Sequence, residues 1–200
     1  MKQNDQMGMT GHLEIWKIDG SGSEELVFDD HNVITSGMGA GLGLLYAGSG
    51  AGDITNFQIR HFQLGESGNT ILDSYGPDQV ALVAPLTLAV HYQTTTQSSI
   101  PVSTHQILDS DGTDFGSGTT YPFGIISDNA IKRVDLNSVT YILYIDQHSC
   151  NNKTLNEVGL FMKNPLGLTP DRSPLVAYRP FTNITKTNDF SLVFKWTLNF

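Results

Sequence analysis

Residues 190–200 read FSLVFKWTLNF. Phe190, Leu192, Phe194, Trp196, Leu198 and Phe200 hold the even positions, and Ser191, Val193, Lys195, Thr197 and Asn199 fill the odd ones. Successive side chains on a strand point to opposite faces, so six apolar residues at period two define a half-buried strand. It predicts that this end of the chain is pinned into a sheet rather than fraying.

The same pattern recurs upstream. Val139, Tyr141, Leu143 and Ile145 alternate with Thr140, Ile142, Tyr144 and Asp146, as a strand buried on both sides would. Leu13 and Ile15 oppose Trp16 and Ile18 in a strand over 13–18. The turn DGSGS at 19–23 and a second strand near 25–28 make a hairpin. Residues 54–64 (ITNFQIRHFQL) read as a strand whose pattern slips near His61 and Phe62, the mark of a bulge. Shorter strands are expected at 84–92 and 102–108. One stretch departs from this: SGMGAGLGLLYA at 36–47 predicts a helix with Ser36 as N-cap and Met38, Leu42 and Leu45 on one face. Its interior glycines cost about 1 kcal/mol each relative to Ala, which close packing against a sheet or another subunit would offset.

The fold class is therefore mainly β: an antiparallel β-sandwich or barrel-like domain with one short Gly-rich helix. Residues 1–10 read as a flexible arm, and 11–200 as a single β-rich domain with a loop-rich middle over 66–138. Composition agrees. Of 200 residues, 16% are charged against roughly 25% in an average domain, while Ser, Thr and Asn make up 48. These small polar residues suit strands and turns more than surface helices.

Charge excludes whole classes of function. With 20 acidic and 11 basic residues, a phosphate-neutralising surface is disfavoured, and no nucleic-acid partner is expected. No run of 18 apolar residues predicts a membrane helix, and the polar start lacks a signal core. The single Cys150 has no C-x-x-C partner and reads as an inert thiol.

Motifs for chemistry are weak. The glycines at 37, 39, 41 and 43 fit neither G-x-G-x-x-G nor a P-loop. The loop from Asp109 through Asp111 to Asp114 resembles the start of a calcium loop, but its glycine is fourth rather than sixth, and Thr120 stands where a bidentate Glu belongs. Six scattered histidines show no zinc spacing, and Asp29-Asp30-His31 is a thin acid–base candidate. There is no G-x-S-x-G elbow. The sequons at Asn152 and Asn183 carry no meaning without a signal. No cofactor, metal or catalytic set is expected.

The C-terminal third carries a resemblance. Thr154-Leu-Asn-Glu-Val-Gly-Leu-Phe161 is followed by Leu175-Val-Ala-Tyr-Arg-Pro-Phe181, Ile184-Thr-Lys-Thr187 and Phe194-Lys-Trp-Thr-Leu-Asn-Phe200. This order resembles a pattern in tailed-bacteriophage virion proteins, chiefly tail-fibre and baseplate-associated ones. There an Asn-Glu-(Ile/Val)-Gly-Leu-Phe strand precedes an Arg-x-Phe strand, an Ile-x-Lys turn and a last strand with Trp-x-(Ile/Leu)-x-Phe. His12–Ile18, Glu24–Asn32, the glycine-rich helix and Phe62-Gln-Leu-Gly65 fit the same impression. The resemblance spans 11–65 and 139–200; the middle matches nothing.

It implies a non-enzymatic structural protein of the virion, made in the host cytoplasm. Assembly would be by subunit contacts in the tail, baseplate or fibre-attachment region, as a homo-oligomer such as a trimer or ring. Its partners would be other virion proteins and copies of itself, with neither nucleic acid nor membrane. The subunit-interface candidates are Trp16, Arg179, Phe181, Lys186 and Trp196, each of which reads equally as an ordinary sheet residue. A capsid decoration or cement protein is the nearest variant. A carbohydrate-binding β-sandwich using Tyr75, Tyr92, Phe115 and Tyr121 is a second class. A polymer hydrolase using Asp109, Asp111 or Asp114 ranks last, since one loop does not define a carboxylate pair.

Overall fold

The computed structural model describes residues 8–48, 53–66, 76–86, 88–91, 107–109, 120–121, 124–126, 128–163 and 174–200. It is mainly β, as the alternation predicts. In chain order the strands are β1 (Thr10–Asp19), β2 (Glu24–Ile34), β3 (Ile59–Gly65), β4 (Leu88–His91), β5 (Ile107–Asp109), β6 (Thr120–Tyr121), β7 (Gly124–Ile125), β8 (Ile131–Asp135), β9 (Ser138–Ile145), β10 (Thr154–Met162), β11 (Leu175–Thr185) and β12 (Phe190–Asn199). Helix α1 spans Ser36–Tyr46. Nine strands form one antiparallel sheet in the order β7-β3-β10-β11-β2-β1-β12-β9-β8, and β5-β4-β6 form a second, small one.

The C-terminal strand is central. β12 pairs with β1 along its whole length, from Thr10 opposite Asn199 to Asp19 opposite Phe190, and with β9 on its other side. Phe190, Leu192, Phe194, Trp196 and Leu198 are buried, as the even positions require. Leu13 and Ile15 of β1 and Tyr141, Leu143 and Ile145 of β9 join them on the inner face. The outer residues of β9 (Thr140, Ile142, Tyr144) are only half-buried, so this strand is covered on one face rather than two.

The sheet curls because β2 serves two neighbours. Residues 24–32 pair with β1, and Val33 and Ile34 then pair with β11. The Thr35 amide continues the ladder to the Val176 carbonyl at 3.1 Å, and its hydroxyl donates to the Leu175 carbonyl. The curl sets β10 and β11 across from β1 and β12, and Leu155, Val158, Leu160, Val176 and Phe181 complete the core. Asn32 adds a polar tie: its amide oxygen accepts from the Trp196 indole at 2.8 Å. Gly11 of β1 lies between them, and a Cβ there would strike the Asn32 side chain.

Three further expectations change. Residues 54–57 form a 3-10 turn rather than a strand, because the Asp53 carboxylate accepts from the Thr55 amide at 2.9 Å and closes the turn. The bulge in β3 falls at Arg60, just before the slip read at His61: Ile59 and His61 oppose consecutive residues of β10. Thr35 is the N-cap, and the helix begins at Ser36. Within the described part of the middle lie β8 and four shorter strands, of which β4 and β5 overlap the stretches read as short strands at 84–92 and 102–108. The hairpin at 19–23 is held as read: Asp19 Oδ1 accepts from the Ser21 amide at 2.8 Å, the Ser21 hydroxyl at 2.6 Å and the Ser23 amide at 3.0 Å. These bonds, the Ser21 hydroxyl's first, lower the Asp19 pKa.

Candidate functional site

The segments that carry the resemblance meet in the fold. On β10, Glu157 stands opposite Gly65 of β3 on one side and Pro180 of β11 on the other. Its side chain is fully buried, and its carboxylate accepts from the Val83 amide at 3.0 Å, the Ala84 amide at 2.8 Å and the Tyr178 hydroxyl at 2.7 Å. A buried carboxylate needs such donors to offset its lost hydration. A Cβ on Gly65 would collide with it, so that glycine makes the room. Burial first, and then the bond to Glu157, raises the Tyr178 pKa. Leu82 packs beside these donors against Phe161, Leu175 and Tyr178. The Asn-Glu-Val-Gly-Leu-Phe and Phe-Gln-Leu-Gly segments thus build one polar clasp that fastens residues 76–86 over the sheet.

Lys186 makes a second clasp. It is fully buried, and its Nζ donates to the Thr187 carbonyl at 2.6 Å, Asn151 Oδ1 at 3.2 Å and the Gln147 carbonyl at 3.3 Å. Its charge also lies 5.1 Å from the Phe190 ring centre. Burial pulls its pKa down to about 8. Cys150 sits in the same loop, buried, with its thiol pushed up to about 12 by burial, and so unreactive. Its φ of 57° is uncommon for a residue with a Cβ.

Of the five interface candidates, Phe181, Lys186 and Trp196 are therefore occupied inside the chain's own fold, at 1% exposure or less. Arg179 is mostly buried, its side chain 12% exposed, opposite the core residue Val158; it pairs with the exposed Asp30 and stacks 5.4 Å from the Phe28 ring centre. Trp16 is half-buried on the outer face, its indole bonded to Glu14 at 2.8 Å and covered by Lys195 Nζ at 4.7 Å. Trp16, Val193 and Tyr144 form a cross-strand row there. The Asp29-Asp30-His31 candidate separates: Asp29 pairs with His12 at 2.6 Å, and Asp30 with Arg179.

Three large apolar side chains stay exposed at one place. Val134 (66%) lies on β8, the last strand of the sheet, Leu136 (86%) on the β8–β9 turn, and Phe200 (47%) joins that turn through a 2.8 Å bond from its amide to the Asn137 carbonyl. Beside them a cavity of about 390 Å³ opens between α1, β3 and the β8–β9 end of the sheet. Neither feature was visible to the sequence reading, because both join residues far apart in the chain.

Tyr75, Tyr92, Phe115, Asp111 and Asp114 lie outside the described residues, as do residues 1–7, while Asp109 and Tyr121 fall on β5 and β6. Among the described residues no cluster of three or more His, Cys, Asp or Glu could hold a metal. No described helix is long and apolar enough to cross a membrane. No protein family, curated protein or solved structure matches the chain.

Proposed function

We propose a non-enzymatic structural role in a bacteriophage virion, with assembly through subunit contacts in the tail, baseplate or fibre-attachment region. One structural observation carries the assembly half of this reading: Val134, Leu136 and Phe200 stand exposed together at β8, whose outer edge has no strand partner among the described residues. An open strand edge flanked by large apolar side chains is a surface that proteins ordinarily cover. Elsewhere on the outer face, the half-buried Trp16 with Glu14 and Lys195 offers a further polar and aromatic contact surface. The virion half is supported by the ordered C-terminal motifs, whose Glu157 and Lys186 are each buried with three hydrogen-bond partners.

Light scattering at micromolar concentration tests it. The wild type is expected to be an oligomer. Val134→Lys with Leu136→Lys is expected to yield a monomer whose melting temperature stays within a few degrees of wild type. A wild type that is strictly monomeric overturns the assembly reading. Saturable glycan binding lost in Tyr121→Ala would replace it with a carbohydrate-binding one.

A further inference from the structure

The cavity beside β8 has the composition of a ligand site. Its volume of about 390 Å³ lies within the range of small-molecule pockets, roughly 300–1,000 Å³. Most of its wall is apolar, with Met38 and Leu42 from α1, Ile131 from β8 and Val139 from β9. Four polar residues share the lining: Gln58, Arg60, Asp128 and Tyr141. Arg60 reaches it because the β3 bulge turns consecutive residues, Ile59 and Arg60, toward one space. Tyr141 lines it too, and although only 6% exposed its hydroxyl has no hydrogen-bond partner among the described residues.

The hydroxyl is not sealed off in the core: it opens on the cavity, where an acceptor can reach it. The Arg60 charge is near enough to act on this phenol, but burial dominates and pushes it up to about 12, so it stays a proton donor at neutral pH. Arg60 gives Nε to Gln58 at 2.9 Å and Nη1 to Asp128, which leaves Nη2 without a protein acceptor among the described residues. Asp128 lines the cavity as well and holds Nη1, so a bound molecule meets the guanidinium through Nη2. An apolar wall that carries two available donors, Arg60 Nη2 and the Tyr141 hydroxyl, is complementary to an apolar molecule that ends in a hydrogen-bond acceptor.

We propose that this cavity binds a small amphipathic carboxylic acid, its hydrocarbon part against Met38, Leu42, Ile131 and Val139 and its carboxylate received by Arg60 and the Tyr141 hydroxyl. The site lies within one chain and does not depend on the assembly reading.

Calorimetric titration of the full chain with sodium octanoate at pH 7, below micelle formation, tests the proposal. It is repeated in the Val134→Lys, Leu136→Lys variant, so that loss of assembly and loss of binding are read separately. Saturable binding of one molecule per chain is expected in both proteins. Tyr141→Phe should weaken it about tenfold through one lost bond, and octanol should bind more weakly than octanoate. Val139→Phe fills the cavity and should abolish binding; Ile131→Phe serves if that variant does not fold. No saturable binding in wild type, equal binding of octanol, or affinity unchanged in the filled variant would each overturn the assignment.

Discussion

Glu157 is the residue on which most of the motif chemistry converges. Its carboxylate receives two backbone amides and a tyrosine hydroxyl, and no water reaches it. Glu157→Gln keeps the shape but turns one acceptor into a donor that faces another donor. A loss of about 1–3 kcal/mol is expected, measured by urea unfolding, together with faster hydrogen exchange at the Val83 and Ala84 amides. Tyr178→Phe removes only one of the three donors and should cost about 1 kcal/mol. His61 gives the protein part of its acid sensitivity. Burial first, with the Lys163 charge second, lowers its pKa from 6.5 to about 4. The unfolded chain therefore binds a proton near pH 6.5 that the folded chain refuses until about pH 4. Stability is whole above that window and falls as pH drops through it. In His61→Gln, urea midpoints at pH 7 and pH 5 should lie closer together than in wild type.

At the scale of elements, α1 shows why local propensity and tertiary packing must be weighed separately. Four glycines in one short helix argue against its forming alone. Two of them have a reason: a Cβ on Gly37 would run into the Leu175 carbonyl, and one on Gly41 into the Met162 sulfur. Gly39 and Gly43 face open space, with nothing within 4 Å. Gly39→Ala and Gly43→Ala should each stabilise by up to about 1 kcal/mol in thermal unfolding. Gly37→Ala and Gly41→Ala should destabilise, the first more, since a backbone carbonyl yields less than a flexible methionine. The sequence expectation that close packing rescues the helix thus applies to alternate glycines. The 3-10 turn at 54–57 teaches a related point. Ile54 and Phe57 read as strand residues by type, but one side-chain bond from Asp53 outweighs that preference.

For the whole molecule, what was legible was whatever repeats within a few residues. The alternation in β12, β9 and β1 marked the strands, and in β12 the inner face as well, because period two is a local property. The DGSGS hairpin was legible for the same reason. The partners of Glu157 were not: Val83 and Ala84 lie more than 70 positions away. The only local hint was a charged residue followed two places later by a glycine inside an apolar strand. The cavity left no trace in the sequence, since its wall is drawn from both ends of the sheet and from a helix between them. Likewise Lys186 reads as an interface candidate in a Thr/Asn turn, while the fold buries it on the Gln147 and Thr187 carbonyls and Asn151.

The pairing of β1 with β12 has a mechanical consequence. Thr10 and Asn199 are direct neighbours at one end of that ladder. A pull applied between those two points would load a single pair of residues at a time, and the strands would part like a zipper at low force. Tension borne across the molecule has to enter elsewhere, through the broad face around Trp16 or the rim at Leu136, where many bonds must shear at once.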